Sequence, residues 1–385
     1  MRFDFATAGQ IRFGPGIATD AVPEIAALGT QAFVLAGGTS QRHAPIVETL
    51  AERGTACTRF SVTTEPTTEI VAAAVTAARQ VRADVVIGLG GGSVIDTGKV
   101  VAAMLTNDGA LEDYLEVVGA GQPLQRPAVP YVAIPTTAGT GAEVTRNAVL
   151  CVPEKKVKVS MRSPLLLPHL ALVDPLLTHS MPPELTASTG LDALTQLAEA
   201  FVSNKANPLT DGLCREGLQR AGRSLRRAFT DGSDAEARED MAVASLFSGL
   251  ALANAKLGAV HGFAGPLGGM IAVPHGVVCG RLLPLVIEAN VRALRERTAD
   301  SAALARHDEI ARLLTGNSTA TAADAVAWIQ DLCETFALPG LRRFGLTEDA
   351  FPEAVAKARK ASSMQGNPIE LTEAELGAIL ARAID

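Results

Sequence analysis

Ala83-Asp84-Val85-Val86-Ile87-Gly88-Leu89-Gly90-Gly91-Gly92-Ser93-Val94-Ile95-Asp96 is an apolar β-type run that ends in three consecutive glycines and continues into a helix-forming segment. Glycine lets a backbone approach a ligand closely, and the first turn of the following helix offers unpaired N–H groups with a partial positive charge. Such a stretch can seat a diphosphate. It is not the GxGxxG fingerprint, because Ser93 stands where the last glycine would fall, and it is not a Walker A loop, because no Gly-Lys-Ser/Thr follows. Turns of this kind also occur simply to let a strand meet a helix.

Working outward, residues 31–35 and 129–134 are further apolar runs that read as buried strands, with helical spacing between them at residues 44–53 and 68–81. Thr67 or Thr68 opens the second of these helices, with Glu69 in its first turn. The alternation predicts a doubly wound α/β domain over residues 1–179. A second loop, Ile134-Pro135-Thr136-Thr137-Ala138-Gly139-Thr140-Gly141-Ala142-Glu143-Val144-Thr145, leaves another strand of this domain and is dense in hydroxyls and glycine. Two such loops on one sheet point to a dinucleotide more strongly than either does alone.

Beyond Asp174-Pro175, strand-like runs nearly vanish and Met181-Pro182-Pro183 reads as a break. An all-helical domain is expected over residues 180–385, with helices at 190–202, 208–227, 235–256, 320–336 and 372–384. Asp192 and Gln196 lie four apart and so share a helix face. His261 and His275 stand in apolar, glycine-flanked surroundings, whereas His43, His169, His179 and His307 read as surface residues. Taken singly, an exposed carboxylate or a hydrogen-bonded core histidine accounts for each of these residues most simply. Two imidazoles and a carboxylate together suit a divalent transition metal.

The 385 residues are 48% hydrophobic and 19% charged, which excludes a disordered chain. A net charge of −7 makes nucleic acid and anionic membrane surfaces poor partners. No apolar stretch reaches the ~18 residues needed to span a bilayer, and Met1-Arg2-Phe3-Asp4-Phe5 has no export-signal pattern. Five scattered cysteines without a CxxC pair suit reduced thiols in the cytoplasm.

Four segments, taken together, resemble the iron-dependent (group III) alcohol dehydrogenase family of the dehydroquinate-synthase-like superfamily. They are Gly90-Gly91-Gly92-Ser93-Val94-Ile95-Asp96, Pro135-Thr136-Thr137-Ala138-Gly139-Thr140-Gly141, Thr189-Gly190-Leu191-Asp192-Ala193-Leu194-Thr195, and His261-Gly262 through Pro274-His275-Gly276. The resemblance implies an NAD(P)-linked interconversion of a small alcohol and its aldehyde or ketone, with hydride transfer in a metal-assisted cleft of a homodimeric enzyme. It places Gly91, Gly92 and Ser93 at the pyrophosphate, Asp96 in the same cofactor motif, Thr136, Thr137 and Thr140 along the nucleotide, and Lys158 near its ribose. Asp192, His261 and His275 become catalytic metal ligands, for iron or zinc.

Three departures from the family pattern stand out. Gln196 replaces a ligating His, and its neutral amide is a weaker donor, so a labile metal is expected. Gly265 replaces a His near the nicotinamide. Gly37, followed by Gly38 in the cofactor region, stands where the family's NAD-selecting Asp falls; this predicts that NADP is accepted and preferred, with Thr39, Ser40 or Arg42 near the extra phosphate. Two rival readings keep the fold: a metal-independent reductase resembling maleylacetate reductase, and a non-catalytic nucleotide-binding protein. A dehydroquinate-synthase-type cyclase fits the Asp-Ala-Leu-Thr and Pro-His-Gly segments less well.

Overall fold

In the computed structural model, which describes residues 2–38, 44–155 and 157–385, the alternating runs of the first part become eight strands. These are β1 (Gln10–Phe13), β2 (Gln31–Ala36), β3 (Ala56–Ser61), β4 (Val85–Gly90), β5 (Tyr131–Pro135), β6 (Asn147–Val152), β7 (Val157–Arg162) and β8 (Leu170–Val173). Between them run α1 (Ile17–Asp20), α2 (Val22–Ala26), α3 (Ala44–Glu52), α4 (Thr68–Gln80), α5 (Gly92–Met104) and α6 (Leu111–Tyr114). Six strands form one parallel sheet in the order β1-β8-β5-β4-β2-β3.

Both faces of this sheet are buried, which is why its strands read as nearly unbroken apolar runs. Val85, Ile87 and Leu89 share one core with Val34 and with Ala18, Ile25 and Leu50 of α1–α3. Val86 points the other way, joining Phe33 and Leu35 in a core with Val71 of α4 and Val94 and Val101 of α5. β4 begins at Val85 because Asp84 turns aside, its carboxylate accepting from the Thr30 and Gln31 amides at 2.9 and 2.8 Å. Thr67 caps α4, its hydroxyl accepting from the Ile70 amide.

After β2 the chain passes to the edge strand β3 and then returns across β2 to β4. The carboxyl ends of the neighbours β2 and β4, where Ala36 pairs with Leu89, therefore flank a reversal of strand order. Ligands of open α/β sheets bind at such a reversal. The antiparallel hairpin β6–β7, which pairs Cys151 with Lys158, was not foreseen in the sequence.

Residues 6–179 form one compact unit, and Ser180–Asp385 with residues 2–5 form the other. The second carries α7 (Pro183–Val202), α8 (Pro208–Thr230), α9 (Ala235–Ala255), α10 (Ala259–Met270), α11 (His275–Arg297), α12 (Ala302–Thr315), α13 (Ala322–Thr335), α14 (Phe351–Lys360) and α15 (Glu373–Ala383). Pro182-Pro183 is a helix start rather than a break, because proline lacks only an N–H that the first turn leaves unpaired anyway. α10 and α11 were hidden by their internal Pro266 and Pro284. No single helix among the described residues is long and apolar enough to cross a membrane.

Candidate metal centre and nucleotide loops

The glycine stretch sits where β4 meets α5, with Gly91 as the N-cap residue of α5 and no side chain capping that end. β4 and β5 pair in parallel with Gly90 opposite Pro135, so the hydroxyl-rich loop emerges beside the glycines. A Cβ on Gly91 would meet Thr137 at 3.3 Å, and one on Gly92 would meet Thr140 at 2.9 Å. The two loops thus lie side by side as one surface of glycine backbone and hydroxyls, tied together by the Thr136 amide donating to the Gly90 carbonyl at 3.0 Å. Ser93 is half-buried in the first turn of α5.

Gly37 and Gly38 follow β2, on the other side of the strand-order reversal, and a Cβ on Gly37 would meet nothing within 4 Å. Thr39, Ser40 and Arg42 lie outside the described residues. Asp96 faces inward: its carboxylate accepts from the buried Lys99 ammonium at 3.0 Å and from the Val149 amide at 2.9 Å, joining α5 to β6. Lys158, on β7, is paired with Glu65 at 2.6 Å.

In the helical unit, Asp192 and Gln196 do share the buried face of α7, His261 lies in the first turn of α10, and His275 is the first residue of α11. Ligand atoms of Asp192, His261, His275 and Cys279 all lie within 4.8 Å of one another. Three of the four are buried, and His275, with 38% of its side chain exposed, is the accessible member. The approach of α11 to α7 requires glycine: a Cβ on Gly276 would fall 1.8 Å from the Ser188 carbonyl oxygen, one turn before Asp192.

His261 is fixed by a residue the sequence reading missed. Glu199, on α7, accepts from the Val260 amide at 2.6 Å and contacts His261 Nδ1 at 2.7 Å. A carboxylate can only accept, so Nδ1 carries the hydrogen and Nε2 presents its lone pair towards Asp192 Oδ1, 3.2 Å away. Two lone-pair atoms at that distance require a cation between them, either a proton or a metal ion. Burial opposes a charged His261, but Cys279, Asp192 and Glu199 outweigh it and raise its pKa well above the ordinary value. Burial also opposes ionised Asp192, yet His275, His261 and Gln196 together hold its carboxyl below the usual range. The donor set, a carboxylate, two imidazoles and a thiol, fits a divalent transition metal.

Gln196 stands beside this cluster. Its Oε1 is 3.0 Å from the Ser248 hydroxyl, and its amide also bonds Asp192. Gly265 lies within α10, and a Cβ there would meet nothing within 4 Å, so the position is open. Cys279 went unread, although it follows His275 by four residues and a helix starting at His275 stacks them on one face. Glu199 follows Gln196 by three on the same helix. Of the histidines expected at the surface, His43 lies outside the described residues and His307 is buried instead, with Nδ1 2.7 Å from the Ala303 carbonyl oxygen, because α12 turns that side inward.

The model of the iron-containing alcohol dehydrogenase family matches residues 8–175, and that of the C-terminal region of the same family matches residues 186–384. The chain is 41% identical over 307 residues to 1,3-propanediol dehydrogenase of Klebsiella pneumoniae, covering 79% of this chain and 77% of that one. A crystal structure of 1,3-propanediol oxidoreductase superposes with a TM-score of 0.90 at 34% identity, covering 100% of both chains. Sulfoacetaldehyde reductase from Bifidobacterium kashiwanohense, solved in complex with NAD+, gives a TM-score of 0.87 at 29% identity over 100% of this chain and 99% of that one. On the strength of both matched halves and of these relatives, the chain belongs to the iron-containing alcohol dehydrogenase family and is an oxidoreductase.

Proposed function

We propose that this enzyme interconverts a small alcohol and its aldehyde or ketone, with NADP or NAD as hydride carrier and a divalent metal, iron or zinc, at the Asp192 cluster. The observation that carries the reading is the convergence of Asp192, His261 and His275 from three helices. Bound by these residues, a cation would supply Lewis-acid polarisation of the substrate oxygen, and a nicotinamide would supply or accept the hydride.

The chain's own residues do the rest. Asp192 supplies negative charge, Glu199 keeps the His261 lone pair aimed at the cluster, and half-exposed His275 borders the side from which a substrate enters. Gln196 steadies Asp192 as a neutral neighbour. On the α/β unit, the Gly91, Gly92 and Ser93 amides at the start of α5 hold the pyrophosphate, with the Thr136, Thr137 and Thr140 loop beside it. Gly37 and Gly38 leave room for the adenosine ribose, Asp96 anchors the helix that carries the glycines, and Lys158 serves the ribose on exchanging its Glu65 partner. With no carboxylate at Gly37, NADPH is the preferred carrier.

We further read the enzyme as a cytoplasmic homodimer; all five cysteines are free thiols. The test is a screen of purified protein with NADPH or NADH against small aldehydes and ketones, following absorbance of the reduced cofactor. Turnover with at least one carbonyl supports the reading, and none across the panel contradicts it. A kcat/KM at least about tenfold better with NADH would overturn the NADP preference.

A further inference from the structure

We propose that Cys279, and not Gln196, supplies the fourth protein donor of the metal centre, so that the cation is held by a carboxylate, two imidazoles and a thiolate and takes the substrate oxygen as a fifth donor. This rests on the reading of the cluster as a metal centre.

Spacing is the first argument. Cys279 Sγ lies 3.6 Å from Asp192 Oδ1 and 3.8 Å from His261 Nε2. Asp192 Oδ1 lies 3.2 Å from His261 Nε2 and 3.7 Å from His275 Nε2. Bonds of about 2.0–2.1 Å to N or O and about 2.3 Å to S place tetrahedral donors about 3.3 Å apart, or about 3.6 Å where one is sulfur. Four of the six donor separations lie near those edges, and the two others, from His275 to His261 and to Cys279, lie within 4.8 Å.

The second argument is the state of the competing donor. Asp192 can only accept, so Gln196 turns its N–H towards it, while Gln196 Oε1 lies against the Ser248 hydroxyl. A cation at Gln196 would therefore share Oε1 with the Ser248 hydroxyl, which also contacts the Ser245 carbonyl oxygen at 2.8 Å.

The third argument is charge and position. Cys279 is fully buried, and the only side chains its sulfur contacts by hydrogen bond among the described residues are Asp192 and His261. When a divalent ion binds, the S–H proton leaves to solvent and a metal–sulfur bond forms. The thiolate and the Asp192 carboxylate then neutralise the two positive charges, a balance that a neutral glutamine does not provide. Thiolate also favours zinc and cobalt over magnesium and manganese.

The experiment loads metal-stripped full-length protein anaerobically with Co2+ and, separately, with Zn2+. The cobalt protein should show a thiolate-to-metal charge-transfer band in the near ultraviolet together with visible d–d bands, and zinc X-ray absorption should show one sulfur at about 2.3 Å. Cys279→Ser should keep d–d bands, lose the charge-transfer band and bind zinc at least about 10-fold more weakly, whereas Gln196→Ala should keep the charge-transfer band. Wild-type cobalt protein with d–d bands but no charge-transfer band, or zinc with only N and O neighbours, overturns the thiolate assignment and leaves the metal centre standing. Failure of both metals to bind overturns the two together.

Discussion

The two functional regions are built on opposite principles. The proposed nucleotide surface comes from strand ends and the loops directly after them and would work through backbone amides; Gly91, Gly92 and Thr140 are set by the pairing of β4 with β5. The metal centre comes from side chains on three helices, with Asp192 and Cys279 87 positions apart in the chain. The first site is a property of a local turn, whereas the second exists only once helices pack. Breaking either one should therefore leave the other intact.

The largest effect is expected from breaking the helical site. His275→Ala removes the half-exposed ligand with little loss of packing, so kcat/KM should fall by about 100- to 1000-fold, as for lost transition-state charge stabilisation. Steady-state kinetics measures this, and nucleotide affinity by cofactor fluorescence should stay within about twofold. Equal losses in both would dissolve the separation between the regions.

The converse variant is Gly91→Val. The Thr137 side chain can yield to the new Cβ, so folding survives, but a branched side chain blocks backbone approach to a diphosphate. Loss of charge-assisted hydrogen bonds worth roughly 1.5–3 kcal/mol corresponds to about 10- to 150-fold weaker dinucleotide binding. Elemental analysis should find the metal content of this variant unchanged.

A smaller effect sharpens the helical side. Glu199→Gln keeps the shape but releases the His261 tautomer, and it should weaken zinc affinity by about 10-fold in competition with a chelator. Affinity equal to wild type would show that the Glu199 contact only caps α10.

The smallest effect belongs to the loop side. Burial raises the Glu143 carboxyl from 4.5 to about 7. The folded state then holds a proton that the unfolded state releases, so stability is greatest below about pH 4.5 and declines as pH rises through about 7. Thermal midpoints from about pH 5 to about pH 8 should fall a few degrees further in wild type than in Glu143→Gln. Parallel curves would remove Glu143 from the account.

How much was legible follows the same division. Glycine chemistry and apolar period announce β2, β4, β5 and the loops behind them, because strand, turn and helix start are contiguous in sequence. The hairpin β6–β7 carries no such punctuation, and its Lys155-Lys156-Val157-Lys158 run suggests a solvated turn. In the helical unit, Asp192, His261 and His275 gain meaning from resemblance rather than spacing, since nothing in sequence says that α10 and α11 return to α7. Cys279 and Glu199 were within reach through offsets of four from His275 and three from Gln196. Reading Cys279 required knowing that a helix begins at His275, which Pro284 and the neighbouring glycines obscure, whereas Glu199 lies on the helix already expected over residues 190–202.

The central claim, a carbonyl–alcohol oxidoreductase that works through a cation at Asp192, is tested most directly by its metal dependence. The rate of NADPH oxidation with the best carbonyl of the screen is measured on protein as purified, after complete metal removal verified by elemental analysis, and after titration with zinc or iron(II). The account predicts that the rate disappears with the metal and returns in proportion to the metal restored. A rate unchanged by complete removal would contradict it and make the chain a metal-independent reductase.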